Sequence, residues 1–271
     1  MRGTSSTSFA EVLRQAEAAF TGSNGALESE AQELFSVADA IDSSNQLVRT
    51  LSDPGRPAAV KEATVRALLG SRVSPQTLEL TLEIVQRRWS EQEDILDALE
   101  LLGASALLAQ AQSEGVLEQV EGELFEISRL IDDSGDLTVA LDGARENPSQ
   151  RATMLRSLLE GRTHRLALAL AARAVGRRTA TKPARRVEEF ARFASDRRRR
   201  VFAAVSSAVP LNEAQQSRLG AVLAGIYGRE VQMNLQVDPD VVGGLRIQVG
   251  DDLYDATVLA RLSRARSQLV A

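Results

Sequence analysis

The chain has no cysteine, a single histidine (His164) and only 4% aromatic side chains among its 271 residues. Without cysteine there can be no disulfide, thiol nucleophile or thiolate metal site, and a reducing compartment is compatible. His164 lies between Thr163 and Arg165 near a helix start, and alone it cannot build a histidine metal site or a triad with the usual partners. A solvated or capping role is expected for it. Neither GxGxxG nor GxxxxGK[ST] occurs, and Gly243-Gly244 leads into an alternating strand pattern rather than a helix, so a phosphate-cradling loop has no support. There is no run of about eighteen apolar residues, and the stretch from Met1 to Ser8 lacks the apolar segment of a signal peptide. The expectation is a soluble, intracellular protein that meets membranes only through partners. No catalytic, cofactor-binding or metal-binding residue can be named.

What is abundant is Ala, Leu, Glu, Arg and Gln, in a chain that is 44% hydrophobic, which is the composition of helices packed through small and γ-branched residues. The net charge of −5 conceals a division. Residues 1–160 hold 13 basic and 27 acidic side chains, and residues 161–271 hold 19 basic and 10 acidic. The positive pole runs from 162 to 200 through Arg177, Arg178, Lys182, Arg185, Arg186, Arg192 and Arg197 to Arg200. Such a run suits phosphate contacts, but its neighbours Phe190 and Phe193 share one helical face with Val187 and Ala194 and read as core. A basic face paired with acidic partners, or with the acidic half of the chain, is the plainer reading.

Shifted by ninety residues, the chain matches itself without a gap: Glu33-Leu34-Phe35 with Glu123-Leu124-Phe125, Ile41-Asp42 with Ile131-Asp132, Leu68-Leu69 with Leu158-Leu159, and Arg87-Arg88 with Arg177-Arg178. Chance helical similarity drifts in register, so a duplicated helical module is the better account. The pattern predicts copy one over 1–97, copy two over 98–198, and proline-containing polar loops at Asp53-Pro54-Gly55 and Asn147-Pro148-Ser149. A single long helix from about Gln86 to Ser113, with Trp89, Ile95, Leu99, Leu102 and Ala106 along one side, is expected to couple the copies.

Residues 199–271 change character. Val201, Ala203 and Val205 alternate as on a strand, as do Val231, Met233, Leu235 and Val237, and then Leu245, Ile247 and Val249. Between the first two, Asn212 and Gln215 form a capping-box pair ahead of an apolar stripe, Leu219, Val222, Leu223 and Ile226, closed by Gly228. Pro239 should end a strand, Gly243 and Gly244 should supply positive φ for a tight return, and a last helix should start near Asp255 and turn Val258, Leu262, Ala265 and Leu269 inward. The predicted fold class is mainly α: two tandem helical bundles, then a small α/β unit ordered strand, helix, strand, strand, helix.

This last block resembles the C-terminal signature of the ATP synthase delta subunit, the oligomycin-sensitivity-conferring protein family. Ala208, Pro210, Leu211, Asp238, Pro239, Gly243, Gly244, Gly250, Asp251 and Asp255 fall where that pattern places them. The family usually has one N-terminal bundle; two point to the actinobacterial type with an inserted module. The resemblance implies a non-catalytic stator subunit of the peripheral stalk, one copy per complex, at the cytoplasmic face of the membrane. Its helical part would clasp the N-terminal segments of the alpha subunits, and its 201–271 unit would bind the b subunit. The alternatives are a basic helical RNA-binding protein and an unrelated helical adaptor.

Overall fold

Helix starts in this chain are written by its caps. Ser44 and Ser134 accept the amides of Leu47 (3.4 Å) and Leu137 (3.3 Å). Ser74 accepts that of Thr77 with Pro75 at the first helical position, and Asn147 accepts that of Gln150 ahead of Pro148. A computed structural model describes residues 1, 3–22, 27–143, 147–179, 181–199, 201–227, 231–238, 241, 243–249 and 252–255. They fall into two compact units, 1–195 and 196–271.

The first unit is helical: α1 (Thr4–Gly22), α2 (Leu27–Asp42), α3 (Asn45–Ser52), α4 (Ala58–Leu69), α5 (Pro75–Gln86), α6 (Asp94–Ser113), α7 (Leu117–Asp133), α8 (Gly135–Gly143), α9 (Pro148–Leu159), α10 (Arg165–Val175) and α11 (Pro183–Arg199). Helices α1 to α5 begin at 4, 27, 45, 58 and 75, and α6 to α10 begin at 94, 117, 135, 148 and 165, ninety residues on in every case. The repeat extends to single bonds. The amide of Ser74 donates to Glu33 Oε2 (2.8 Å), and that of His164 donates to Glu123 Oε2 (2.6 Å). His164 also caps α10, its Nδ1 accepting from Leu166 N at 3.3 Å, which is the capping role its position predicts.

The long helix expected from Gln86 to Ser113 begins only at Asp94, since α5 ends at Gln86 and a connection of seven residues follows it. Arg87 leaves α5 in extended geometry, and Trp89, buried in the connection, donates from Nε1 to Ile84 O at 2.9 Å, satisfying a carbonyl of the last turn of α5. Ser5 on α1 fixes the break: its hydroxyl donates to Asp94 Oδ2 (2.6 Å) and accepts from Ser90 N (2.7 Å). Helix α6 then runs through the middle of the unit, with Ile95, Ala98, Leu99, Leu102, Ala104, Leu107 and Leu108 all buried. A helix buried on every side lacks the polar stripe of a surface helix. The aromatics beside the basic run are core as expected: Phe190, Val187 and Ala194 are buried, and Phe193 packs on Phe9 with ring centroids 6.4 Å apart.

The second unit holds β1 (Val201–Ser207), α12 (Glu213–Tyr227), β2 (Val231–Val237), β3 (Leu245–Val249) and β4 (Asp252–Asp255). The sheet order is β2-β1-β3-β4, with β1 parallel to β2 and antiparallel to β3. The capping box at α12 is present: Gln215 N donates to Asn212 Oδ1 and Asn212 N to Gln215 Oε1, both at 2.9 Å. Three expectations are corrected. Strands β2 and β3 do not pair as a hairpin but flank β1 on opposite edges, because β1 carries the buried Ala203 and Val205 and takes the central place. The chain from Asp252 to Asp255, where the last helix was expected to begin, is a strand paired with β3. Of the α12 stripe only Leu223 is buried, whereas Val222 and Ile226 are 53% and 57% exposed, since one helix rests on the sheet by a narrower line than the sequence stripe. Gly228, Pro239, Gly250, Asp251 and the expected helix beyond Asp255 lie outside the described residues.

Candidate functional site

Among the described residues no cluster of three or more His, Asp or Glu side chains could hold a metal ion, and no helix is long and apolar enough to cross a membrane. What the first unit offers instead is relief between helices. A cavity of about 340 Å³ opens between α1 and α5, with Ala19, Leu80 and Leu82 among its walls and Gln15, Glu79 and Gln86 exposed around it. On α5 the lining runs from Gln76 to Gln86, about 15 Å of helix. That is the length over which a partner helix would lay three turns of an apolar stripe. Two adjoining cavities, about 560 and 450 Å³, lie along α7 and α11 and share Asp132 and Glu188. Their walls mix both signs of charge, Lys182, Arg185 and Arg192 against Glu188, Glu189 and Asp132.

Part of the basic stretch from 162 to 200 is spent inside this unit. Arg173 on α10 donates from Nε to both oxygens of Glu100 on α6 (3.0 and 2.9 Å) and from its terminal nitrogens to both oxygens of Asp39 on α2 (2.8 Å each). Its guanidinium also stands 4.8 Å over the Phe35 ring. Burial works against the charge of Arg173, and its hydrogen bonds to the carboxylates of Glu100 and Asp39 outweigh it, raising its pKa above the ordinary arginine value. Arg177 pairs with Asp97, Arg186 lies 3.7 Å from Asp97, and Arg165 bonds Glu28 on α2 and Glu114 beyond α6. Arg177 and Arg186 are buried and cannot track a phosphate backbone, whereas Arg178, Lys182, Arg185 and Arg192 stay exposed. Arg165, Arg173, Arg177 and Arg186 thus pair with acidic residues of the first 160. Arg165 and Arg173 were not singled out from the sequence, and their spacing of eight residues, two helical turns, was the available signal.

In the second unit Asp238 N donates to Ser207 O at 2.9 Å, tying the end of β2 to the end of β1. Gly243 and Gly244 have φ of 67° and 86°, the left-handed region expected of them. Leu211 packs against the small core of Ala203, Val205, Leu223, Val231, Ile247 and Val249, while Pro210 is exposed and Ala208 half-buried. Asp255 lies opposite Arg246 in the β3–β4 register, with 3.8 Å between their charged groups. Val222, Ile226, Leu235, Val237 and Tyr254 leave apolar surface exposed on this unit.

A family model described as ATP synthase delta (OSCP) subunit matches residues 104–269. The chain is similar to the ATP synthase subunit delta of Beutenbergia cavernae, 41% identical over 239 residues and 88% of each chain. It is 36% identical to that of Thermobifida fusca over 269 residues, 99% of each chain, and 38% identical to that of Kineococcus radiotolerans, over 96% of this chain and 92% of the relative. The family match begins inside α6 and runs on through the second unit, while the similarity to the Thermobifida fusca relative spans nearly the whole chain. With that coverage at these identities, the chain belongs to the ATP synthase delta (OSCP) subunit family.

Proposed function

We propose that this chain is a non-catalytic stator subunit of an F-type ATP synthase, one copy per complex, joining the catalytic head to the peripheral stalk. The helical unit grips the N-terminal segment of an alpha subunit, and the α/β unit, 199–271, grips the b subunit. Torque on the head does work only while both grips outlast it, so the chain acts by slow dissociation rather than by chemistry. Its place is the cytoplasmic face of the membrane, reached through its partners.

The observation that carries this reading is that each of the two compact units keeps a surface of its own for a partner, the α1–α5 groove rimmed by Gln15, Glu79 and Gln86 on one and the exposed Val222 and Ile226 on the other. A two-ended clamp needs that separation. Ala208, Pro210, Leu211, Asp238, Pro239, Gly243, Gly244, Gly250, Asp251 and Asp255 serve by fixing the fold of the stalk-binding unit, and copies one and two, 1–97 and 98–198, arose by duplication.

The test is reconstitution of the full chain with the isolated catalytic head and, separately, with the b subunit. A one-to-one complex with the head that survives high salt is expected, and the variant Val222→Asp/Ile226→Asp should lose the b subunit while still capturing the head. Failure to associate with either partner at any ionic strength overturns the reading. Binding to RNA that falls steeply with salt, and is lost on neutralising 197–200, would favour the nucleic-acid alternative.

A further inference from the structure

The duplication poses a question of valence: two copies of one bundle should present two equivalent grooves. We infer that the chain presents only one, between α1 and α5, because the equivalent groove between α6 and α10 is filled by α1 and α2 of the same chain. The inference rests on the reading of the partner as a helical segment.

The two grooves are built from positions ninety residues apart, and their chemistry is opposite. Around the first, Gln15, Gln76, Glu79 and Gln86 are exposed or half-buried. Their counterparts are Ser105, Leu166, Ala169 and Gly176, with Ser105 fully buried and Leu166 1% exposed. Polar rims persist where water reaches a helix pair, and small or apolar residues stand where another part of the chain covers it. The covering elements are visible in the bonds. Ser105 donates its hydroxyl to Glu17 Oε1 on α1 at 2.9 Å. Arg173, the counterpart of Glu83, reaches Asp39 and the Phe35 carbonyl on α2. In copy one Glu83 instead pairs with Arg87 of its own helix end at 3.1 Å, and Arg87 with Glu11 on α1 at 2.6 Å, so these bonds stay within the α1–α5 pair and bring no third helix onto it.

Helices α1 and α2 therefore stand to copy two as an outside helix would stand to copy one. The α2 contact also shows the pose. Arg165 and Arg173, near the start and end of α10, meet Glu28 and Asp39, near the start and end of α2, so α2 runs parallel to α10. The occupant of the open groove is accordingly a single amphipathic helix, with a small or apolar stripe set against Ala19, Leu80 and Leu82.

Because the chain is free of cysteine, single cysteines can report on each groove. The probe is a synthetic peptide of the N-terminal segment of the alpha subunit from the same complex, titrated calorimetrically into the full chain. One peptide per chain is expected. In the free chain Gln15→Cys should react with a thiol reagent at least about a hundredfold faster than Ser105→Cys or Ala109→Cys, since only the first is exposed. Peptide should protect Gln15→Cys, and Ala19→Arg should weaken binding about tenfold or more while the thermal melt stays cooperative. Two peptides per chain, labelling of Ser105→Cys as fast as Gln15→Cys, or binding that leaves Gln15→Cys unprotected each overturn the inference and leave the stator reading standing. A peptide that does not bind at all overturns the proposed alpha contact and this inference with it.

Discussion

The ring of Phe35 lies directly against the α-carbon of Gly103, so that a β-carbon at 103 would stand 2.4 Å from Phe35 Cε1 and 2.7 Å from Cδ1. This contact sets the closeness of α2 to α6, and it distinguishes the copies. The counterparts are Phe125 and Phe193, two rings with no glycine between them, and Phe125 is half-buried beside the cavities along α7 and α11.

Gly103→Ala therefore tests two opposed effects. Alanine gains about 1 kcal/mol in helix propensity, and overpacking against a buried ring costs about 1 to 3 kcal/mol. With ring carbons at 2.4 and 2.7 Å the steric cost wins, and net destabilisation is expected in urea unfolding. In a Phe35→Leu background the same substitution should be neutral or stabilising; additive effects in that double-mutant cycle would refute the contact's role.

Arg173 holds α2, α6 and α10 at one point, and its main partner, Glu100, is 1% exposed. Arg173→Met leaves that carboxylate in the interior with Arg177 Nε, 4.0 Å away, beside it. A stability loss of about 3 to 5 kcal/mol is expected. Arg173→Lys should recover little of it, because an ammonium cannot serve Glu100 and Asp39 as a planar fork does. Adding Glu100→Gln to Arg173→Met should restore part of the loss. If instead Arg173→Met unfolds at the parental denaturant midpoint, the cluster carries no structural weight.

Glu30, on the first turn of α2, is buried with Oε1 unbonded, and its counterpart in copy two is Val120. Burial, and then the charge of Glu33, push its pKa up from 4.5 to about 7. The folded state thus holds a proton that the unfolded chain gives up near 4.5, so stability falls as pH rises from about 4.5 to about 7 and is flat above. Glu30→Val should be more stable than the parent above pH 7, by up to about 3 kcal/mol, and should lose that advantage toward pH 4. Denaturant midpoints measured across this range check the sign. Glu33 behaves in the opposite sense: burial raises it, but bonds from Ser74 and Thr77 prevail and hold it below its usual value, so its contribution is lost only in acid.

The sequence shows much of the helical unit because a ninety-residue repeat displays many of its positions twice. Capping residues and paired leucines recur at one spacing, and that spacing returns in the helix starts. What stays hidden is polarity inside the unit. Glu30 looks like any acidic residue in a first helical turn, and nothing local says that α1 and α2 bury Ser105 and bond Arg173. The break between Gln86 and Asp94 escapes periodicity too, since Trp89 fits a helical apolar stripe and only the long-range contact of Ser5 with Asp94 and Ser90 shows it. In the α/β unit, alternation gives strands and faces. It does not give order, which depends on the edge of β1 that each strand takes.

That dependence on a crossing makes the paired glycines the most testable feature of the second unit. After β2 the chain must pass the end of β1 to begin β3 on its far edge, and Gly243 and Gly244 do this at φ of 67° and 86°. An L-residue in that region costs roughly 1 to 2 kcal/mol, a large share of the stability of a unit whose described apolar core is six buried side chains. Gly244→Ala should therefore lower the stability of the 196–271 unit while leaving 1–195 unchanged. Amide exchange would show faster opening of β2 and β3, with protection of α6 unaltered. Where β3 is loosened, capture of the b subunit should weaken and capture of the catalytic head should not. Equal losses at both ends would mean that the two units do not act as separate grips.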